Sequence, residues 1–144
     1  MLKGLDPVLG PDLLAILRGM GHGDELALVD ANFPAAANAR RLVRLDGIVA
    51  PRVLEAVLSV LPLDDFVDSP ATRMAVVGDA SAIPEICREF ADIIGKAMGR
   101  PVPLAAVERF AFYQRARDAF AVVATGETRL YGNLLLRKGV IRPD

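Results

Sequence analysis

His22 is the only histidine of this chain, and it stands between Gly21 and Gly23 in the stretch "RGMGHGDELALVDANFPA", Arg18 to Ala35. Imidazole is the side chain that most readily both gives and takes a proton near neutral pH, so His22 is the first candidate for acid–base work. The flanking glycines leave it unshielded and free the backbone for unusual angles. The plainer alternative is a loop histidine bonded to a nearby carbonyl, and the loop alone favours that one. A carboxylate, Asp30, closes the apolar run that follows.

Other chemistries are poorly supplied. Gly19, Gly21 and Gly23 match a phosphate loop in composition only. Such a loop leaves a strand and opens a helix, so that the helix N-terminus faces the anion. Here the order is helix, glycines, strand. One histidine and one cysteine cannot make the usual zinc site, and Cys87 falls on an apolar helix as a small core residue. None of the three serines, Ser59, Ser69 and Ser81, lies in a G-x-S-x-G elbow. No metal and no other cofactor is expected.

Two further stretches mix useful groups. "ERFAFYQRAR" interleaves Phe110, Phe112 and Tyr113 with Arg109, Arg115 and Arg117. That pattern can stack nucleic-acid bases, but more often it is a helix with an aromatic core face and a charged solvent face. "RLYGNLLL" reads as a strand with Tyr131 and Asn133 on one side. Gly132 between them marks a point where another group comes close. A phenol beside a carboxamide suits sugar hydroxyls; the two could equally satisfy each other at a sheet edge.

These groups need elements to hold them. The 144 residues predict one domain, 1–144. A hydrophobic content of 53% and a mean hydropathy of +0.35 predict a large core, with apolar surface left for subunit contacts. The net charge of −1 mixes both signs along the chain, which excludes a field that steers nucleic acid or an anionic membrane. A single cysteine rules out an internal disulfide and fits the cytoplasm. "MLKGLDPVLG" meets Pro7 and Gly10 before any long apolar run and is not read as a signal peptide. No stretch approaches the ~20 apolar residues of a membrane span.

Helices are predicted from Pro11, from Pro51 and after Pro84, each with apolar residues at helical spacing, and another from about Arg109. "ELALVDA", "LVRL", "MAVVG", "FAVVAT" and "LYGNLLL" read as strands. Alternating helices and strands predict a three-layer α/β/α sandwich with a mostly parallel sheet. The last two strands lie too close for a helical crossover, so an antiparallel edge pair is predicted near the C-terminus.

Taken in order, "MLKGLDP", "MGHGDELALVDANFPA", "VDSP", "ERFAFYQRA", "FAVVATGE" and "LYGNLLLRKGV" resemble the ribose pyranase and fucose mutarotase family from end to end. The resemblance is closest to its L-fucose mutarotase branch. Ribose-type members carry glycine at the position of Asn32 and Tyr-Ala-Asn where this chain has Tyr131-Gly132-Asn133. The resemblance implies a cofactor-free isomerase that interconverts the α and β anomers of a reducing sugar, L-fucose above all. The alternatives are a D-ribose pyranase and a non-catalytic sugar-binding protein on the same scaffold. By matching position, His22 is implied as the acid–base residue. Asp30, Arg109, Tyr131, Gly132 and Asn133 are implied as the sugar-binding set. The family forms homo-oligomers, commonly decamers, with sites at subunit contacts.

One geometric expectation is independent of the resemblance. A strand rises ~3.3 Å per residue, so His22 and Asp30 should be roughly 20 Å apart in one chain. If both serve one small ligand, a neighbouring chain must supply one of them.

Overall fold

The computed structural model describes residues 1–144. Along the chain run α1 (Pro11–Gly19), β1 (Glu25–Val29), α2 (Ala35–Asn38), β2 (Leu42–Leu45) and α3 (Ala50–Leu58). They are followed by β3 (Ala71–Met74), α4 (Glu85–Met98), β4 (Ala105–Val107), α5 (Arg109–Asp118), β5 (Ala121–Thr125) and β6 (Leu134–Arg137). Proline opens α1 and α3, where its missing N–H costs nothing and its fixed φ suits the first turn. Gly99, with φ of 70°, ends α4 by donating its N–H to the Gly95 carbonyl.

The six strands form one sheet in the order β2-β5-β1-β6-β3-β4. The pairs β1–β5, β2–β5 and β3–β4 are parallel. β6 runs antiparallel to both of its neighbours, β1 and β3. Side chains alternate across the strands, and both faces are apolar because both are covered. Leu26, Leu28, Val123, Leu134 and Leu136 pack under α1, α3 and α4 with Leu13, Val53, Leu54 and Phe90. Ala27, Val29, Val122, Ala124 and Leu135 face α2 and α5 through Ala35, Phe112 and Ala116. The result is the expected three-layer sandwich around a mixed, mostly parallel sheet.

Three local expectations change. The antiparallel pairing near the C-terminus is present, but β5 and β6 are not each other's partners and β6 is not at an edge. β1 lies between them, and β6 sits inside the sheet. Leu134, Leu135 and Leu136 are wholly buried, which an edge strand covered on two sides only would not require. The strand expected in "MAVVG" lies earlier, at Ala71–Met74. The chain then leaves the sheet: Val76 bridges to Asp79 around Gly78, whose φ is 81°, and Val77 is exposed. The last strand begins at Leu134, not at Leu130. Tyr131 has φ of 63°, outside extended backbone, so the Tyr131–Asn133 run is a loop that delivers the chain into β6.

Candidate functional site

The residues singled out by sequence fall into two groups, one at each end of β1. His22 lies before the strand and Asp30 directly after it.

At the first end, the turn after α1 is shaped by Gly23, whose φ of 87° disfavours any side chain. A Cβ there would also come within 3.3 Å of Arg137 Nη2. The Gly23 amide donates to the Lys138 carbonyl at 2.9 Å, and the Gly21 amide to Asp24 Oδ2 at 2.7 Å. This turn holds the imidazole with Nε2 3.3 Å from Asp64 Oδ1. Asp64 is almost fully enclosed, while the His22 side chain is 45% exposed. Asp64 also accepts from Arg137 Nε at 2.9 Å and from the Phe66 amide at 3.1 Å. Desolvation would push its carboxyl up, but the Phe66 amide, Arg137 and His22 outweigh it and hold it below the usual aspartate range. The Phe66 ring stacks at a tilt on His22, 5.4 Å between centroids, and is itself exposed.

An ionised carboxylate facing Nε2 makes that nitrogen the protonated one and leaves Nδ1 as the acceptor. Asp64 therefore sets the tautomer of His22. Sequence reading missed it, because nothing in "LPLDDF" separates enclosed Asp64 from Asp65, which is solvent-exposed and pairs with Arg142.

At the second end, Asp30 and Asn133 bind each other twice. The Asp30 amide donates to Asn133 Oδ1 at 2.9 Å, and Asn133 Nδ2 donates to Asp30 Oδ2 at 3.0 Å. The Asn32 amide donates to Asp30 Oδ1 at 3.0 Å. Burial raises the Asp30 carboxyl above its ordinary value, against the lowering effect of these donors. Gly132 packs beside the pair: a Cβ would lie 3.3 Å from Asp30 Cβ and 2.9 Å from Glu127 Cγ. The close approach expected at Gly132 is therefore present, although the backbone there is a loop and not a strand. Tyr131 turns its hydroxyl to accept from the Val77 amide at 3.1 Å.

Arg109 belongs to the same end. Met74 Sδ lies 4.0 Å from Asn133 Nδ2, and Met74 pairs with Val107, two residues before Arg109 opens α5. The Arg109 guanidinium lies over the Phe110 ring at 4.7 Å, and its Nε is buried without a hydrogen-bond partner. A buried unpaired donor is costly, and a ligand hydroxyl would satisfy it.

The structure thus brings Asp30, Tyr131, Gly132, Asn133 and Arg109 to the carboxyl ends of the parallel strands, where open α/β sheets place their ligands. It does not bring His22 to them. The larger cavities of the single chain are lined by other residues: one of about 430 Å³ by Gly23, Asp24, Glu25, Arg40 and Arg41 beside the His22 turn, and one of about 390 Å³ by Leu14, Leu17, Val60 and Lys138. Around the second end stand exposed apolar side chains, Val77, Phe110 and Leu130, each in or beside the segments just described.

Comparison with known proteins gives a consistent picture. The model of the RbsD / FucU transport protein family matches residues 3–141. The chain is 49% identical to the fucose mutarotase of Homo sapiens, over 97% of this chain and 94% of that one. The crystal structure of the fucose mutarotase in complex with L-fucose from Streptococcus pneumoniae superposes with a TM-score of 0.88 at 41% identity, covering 98% of this chain and 100% of that one. The Bacillus subtilis RbsD structure complexed with D-ribose shares the fold, with a TM-score of 0.70 at 19% identity over 99% and 100% of the two chains.

Proposed function

The chain belongs to the RbsD / FucU transport protein family, and we propose on that premise that it is a cofactor-free isomerase interconverting the α and β anomers of L-fucose. The observation that carries this reading is the near-full-length identity with proteins named fucose mutarotase, set against a site of hydrogen-bonding groups suited to a sugar.

Mutarotation needs only proton transfers. A base takes the proton of the anomeric hydroxyl while an acid protonates the ring oxygen, and the bond between that oxygen and the anomeric carbon breaks. The aldehyde turns, the ring oxygen adds to its other face, and the two protons return. His22 is the acid–base group, with Nδ1 toward the sugar and Nε2 held by Asp64. Asp30 and Asn133 accept and donate to ring hydroxyls, Arg109 offers its unpaired Nε, and Gly132 leaves the room that a side chain would fill. Tyr131, its hydroxyl held by the Val77 amide, stands at the edge of this set.

With β1 between His22 and Asp30, the working site joins two copies of the chain, one giving His22 and the other the sugar-binding set. Two unlike surfaces favour this arrangement. One end presents His22 beside exposed Phe66; the other presents the exposed apolar side chains around Asp30. Contact between unlike patches is head-to-tail, and where its rotation closes it makes a ring, in keeping with a decamer. A cytoplasmic location accompanies this reading, and the free, buried thiol of Cys87 suits a reducing compartment.

Saturation-transfer NMR on a panel of sugars tests the function, because it reports anomer exchange directly. The expected result is exchange of L-fucose well above the uncatalysed rate and faster than any ring interconversion of D-ribose. Dominant ribose interconversion would make the protein a pyranase. Binding of L-fucose without accelerated exchange would make it a sugar-binding protein.

A further inference from the structure

Glu127 is the only buried glutamate, at 2% exposure, and the acid–base chemistry above makes no use of it. It lies in the loop between β5 and β6, three residues after Ala124 and four before Tyr131. We propose that Glu127 is a positioning residue for the sugar site, holding Asp30 and the Tyr131–Asn133 loop in register, with Arg129 and Glu89 locking it to α4. This rests on the assignment of Asp30, Tyr131, Gly132 and Asn133 as the sugar-binding set.

The backbone of Glu127 ties down both sides of Asp30. Its carbonyl accepts from the Ala31 amide at 2.8 Å. Its amide donates to Thr125 Oγ1 at 3.2 Å, and that hydroxyl donates to the Val29 carbonyl at 2.8 Å. The residue before Asp30 and the residue after it are thus both fixed to the segment around Glu127. Its side chain then reaches across to Gly132. Glu127 Cγ occupies the space where a Gly132 Cβ would stand, at 2.9 Å, with Asp30 Cβ on the other flank. Glu127 is in this way packed against the glycine that joins Tyr131 to Asn133.

A side chain can act as such a stop only if it cannot swing. Glu127 Oε1 accepts from the Arg129 amide at 3.0 Å and from Arg129 Nε at 2.9 Å, and Oε2 accepts from Nη2 at 3.1 Å. Arg129 uses its remaining donors on Glu89 of α4, Nη1 at 2.6 Å and Nη2 at 3.2 Å. The guanidinium is therefore clamped between two carboxylates, a geometry that its planar fork favours. The loop acquires a rigid anchor to α4, which packs on the far face of the sheet from α5. Tyr131, held at φ of 63°, is the strained residue that the anchor stabilises.

The test measures L-fucose affinity and exchange rate separately in the assembled protein. Glu127→Asp withdraws the carboxylate from the Arg129 fork by one methylene; Glu127→Gln keeps its length. With loss of a charge-assisted contact, Glu127→Asp should weaken L-fucose binding about tenfold in an NMR titration. Exchange at saturating sugar should fall less than about threefold, because the substitution leaves the acid–base group, His22 of the neighbouring copy, unchanged. Glu127→Gln, whose Oε1 still accepts from the Arg129 amide and Nε while its amide nitrogen cannot accept from Nη2, should lose less affinity than Glu127→Asp. Wild-type affinity in folded Glu127→Asp, or a loss confined to the saturated rate, would overturn the proposal. So would an equal loss in both variants. If Glu127→Asp does not fold, Glu89→Gln decides, since it opens only the half-exposed outer end of the clamp. Weakened binding supports the anchor, and unchanged binding overturns it. Wild-type protein that fails to exchange L-fucose would overturn the functional reading instead, a separate and visible result.

Discussion

His22 and Asp64 meet at 3.3 Å across 42 positions of sequence, and the carboxylate that receives the imidazole is itself braced by Arg137. The pairing turns an exposed loop histidine into an oriented one. It answers why the imidazole can stand between two glycines without drifting: Asp64 and Phe66 hold it from the side.

His22→Ala should therefore slow anomer exchange by roughly 10^2 to 10^4-fold, the usual worth of a positioned acid–base group. L-fucose affinity should change little, since the proposed binding set lies with Asp30. Exchange spectroscopy on the folded variant checks both, and a wild-type rate would remove His22 from the mechanism.

Asp64→Asn separates orientation from stability. Exchange should fall roughly tenfold or more as the carboxamide no longer selects one tautomer. The folded Asp64 carboxyl binds its proton less tightly than the unfolded one does. Its stabilising contribution is thus present above the ordinary aspartate value of ~3.9 and is lost as pH falls through the lower folded value. Asp30 is raised and works in the opposite sense, its contribution fading as pH rises through its own folded value. Urea midpoints measured from neutral pH into the acid should fall less steeply in Asp64→Asn than in wild type. Parallel curves would show that Asp64 is not held ionised by the fold.

Gly132→Ala places a Cβ 2.9 Å from Glu127 Cγ and 3.3 Å from Asp30 Cβ. Contacts this close force the neighbours apart, at a cost of about 1–3 kcal/mol for overpacking. The expected result is a lower thermal midpoint together with weaker L-fucose binding. Retention of both would mean that the loop yields freely.

Mixing subunits tests the shared site. His22→Ala and Asp30→Ala chains, each inactive alone, are denatured together and refolded. Some contacts should then pair an intact His22 with an intact Asp30, and exchange should rise well above either variant refolded alone. Mixed oligomers verified by mass spectrometry that remain inactive would require His22 and Asp30 to meet within one chain.

Much of this architecture follows from local pattern. Pro11 and the apolar spacing of Leu13 and Leu17 specify α1, and the run Leu26 to Val29 specifies a strand buried on two faces. From that strand alone comes the separation of His22 from Asp30. Motifs spread over the whole chain carry the family, and the order of Gly19, Gly21 and Gly23 argues against a phosphate loop without any structure.

What the local pattern does not contain is who lies beside whom. "LYGNLLL" reads as a strand throughout, yet Tyr131 leaves extended backbone because its hydroxyl, its carbonyl and Gly132 are claimed by Val77, Cys87 and Glu127. Chain proximity pointed to pairing between β5 and β6, but the sheet inserts β1 between them. Asp64 and Asp65 are adjacent and identical in kind; only enclosure by Arg137, Phe66 and His22 gives the first its role. Helical and strand periods report how a segment divides its own faces. Strand order, desolvation and the partner of a buried carboxylate depend on residues tens of positions away, and they come into being only when the layers close.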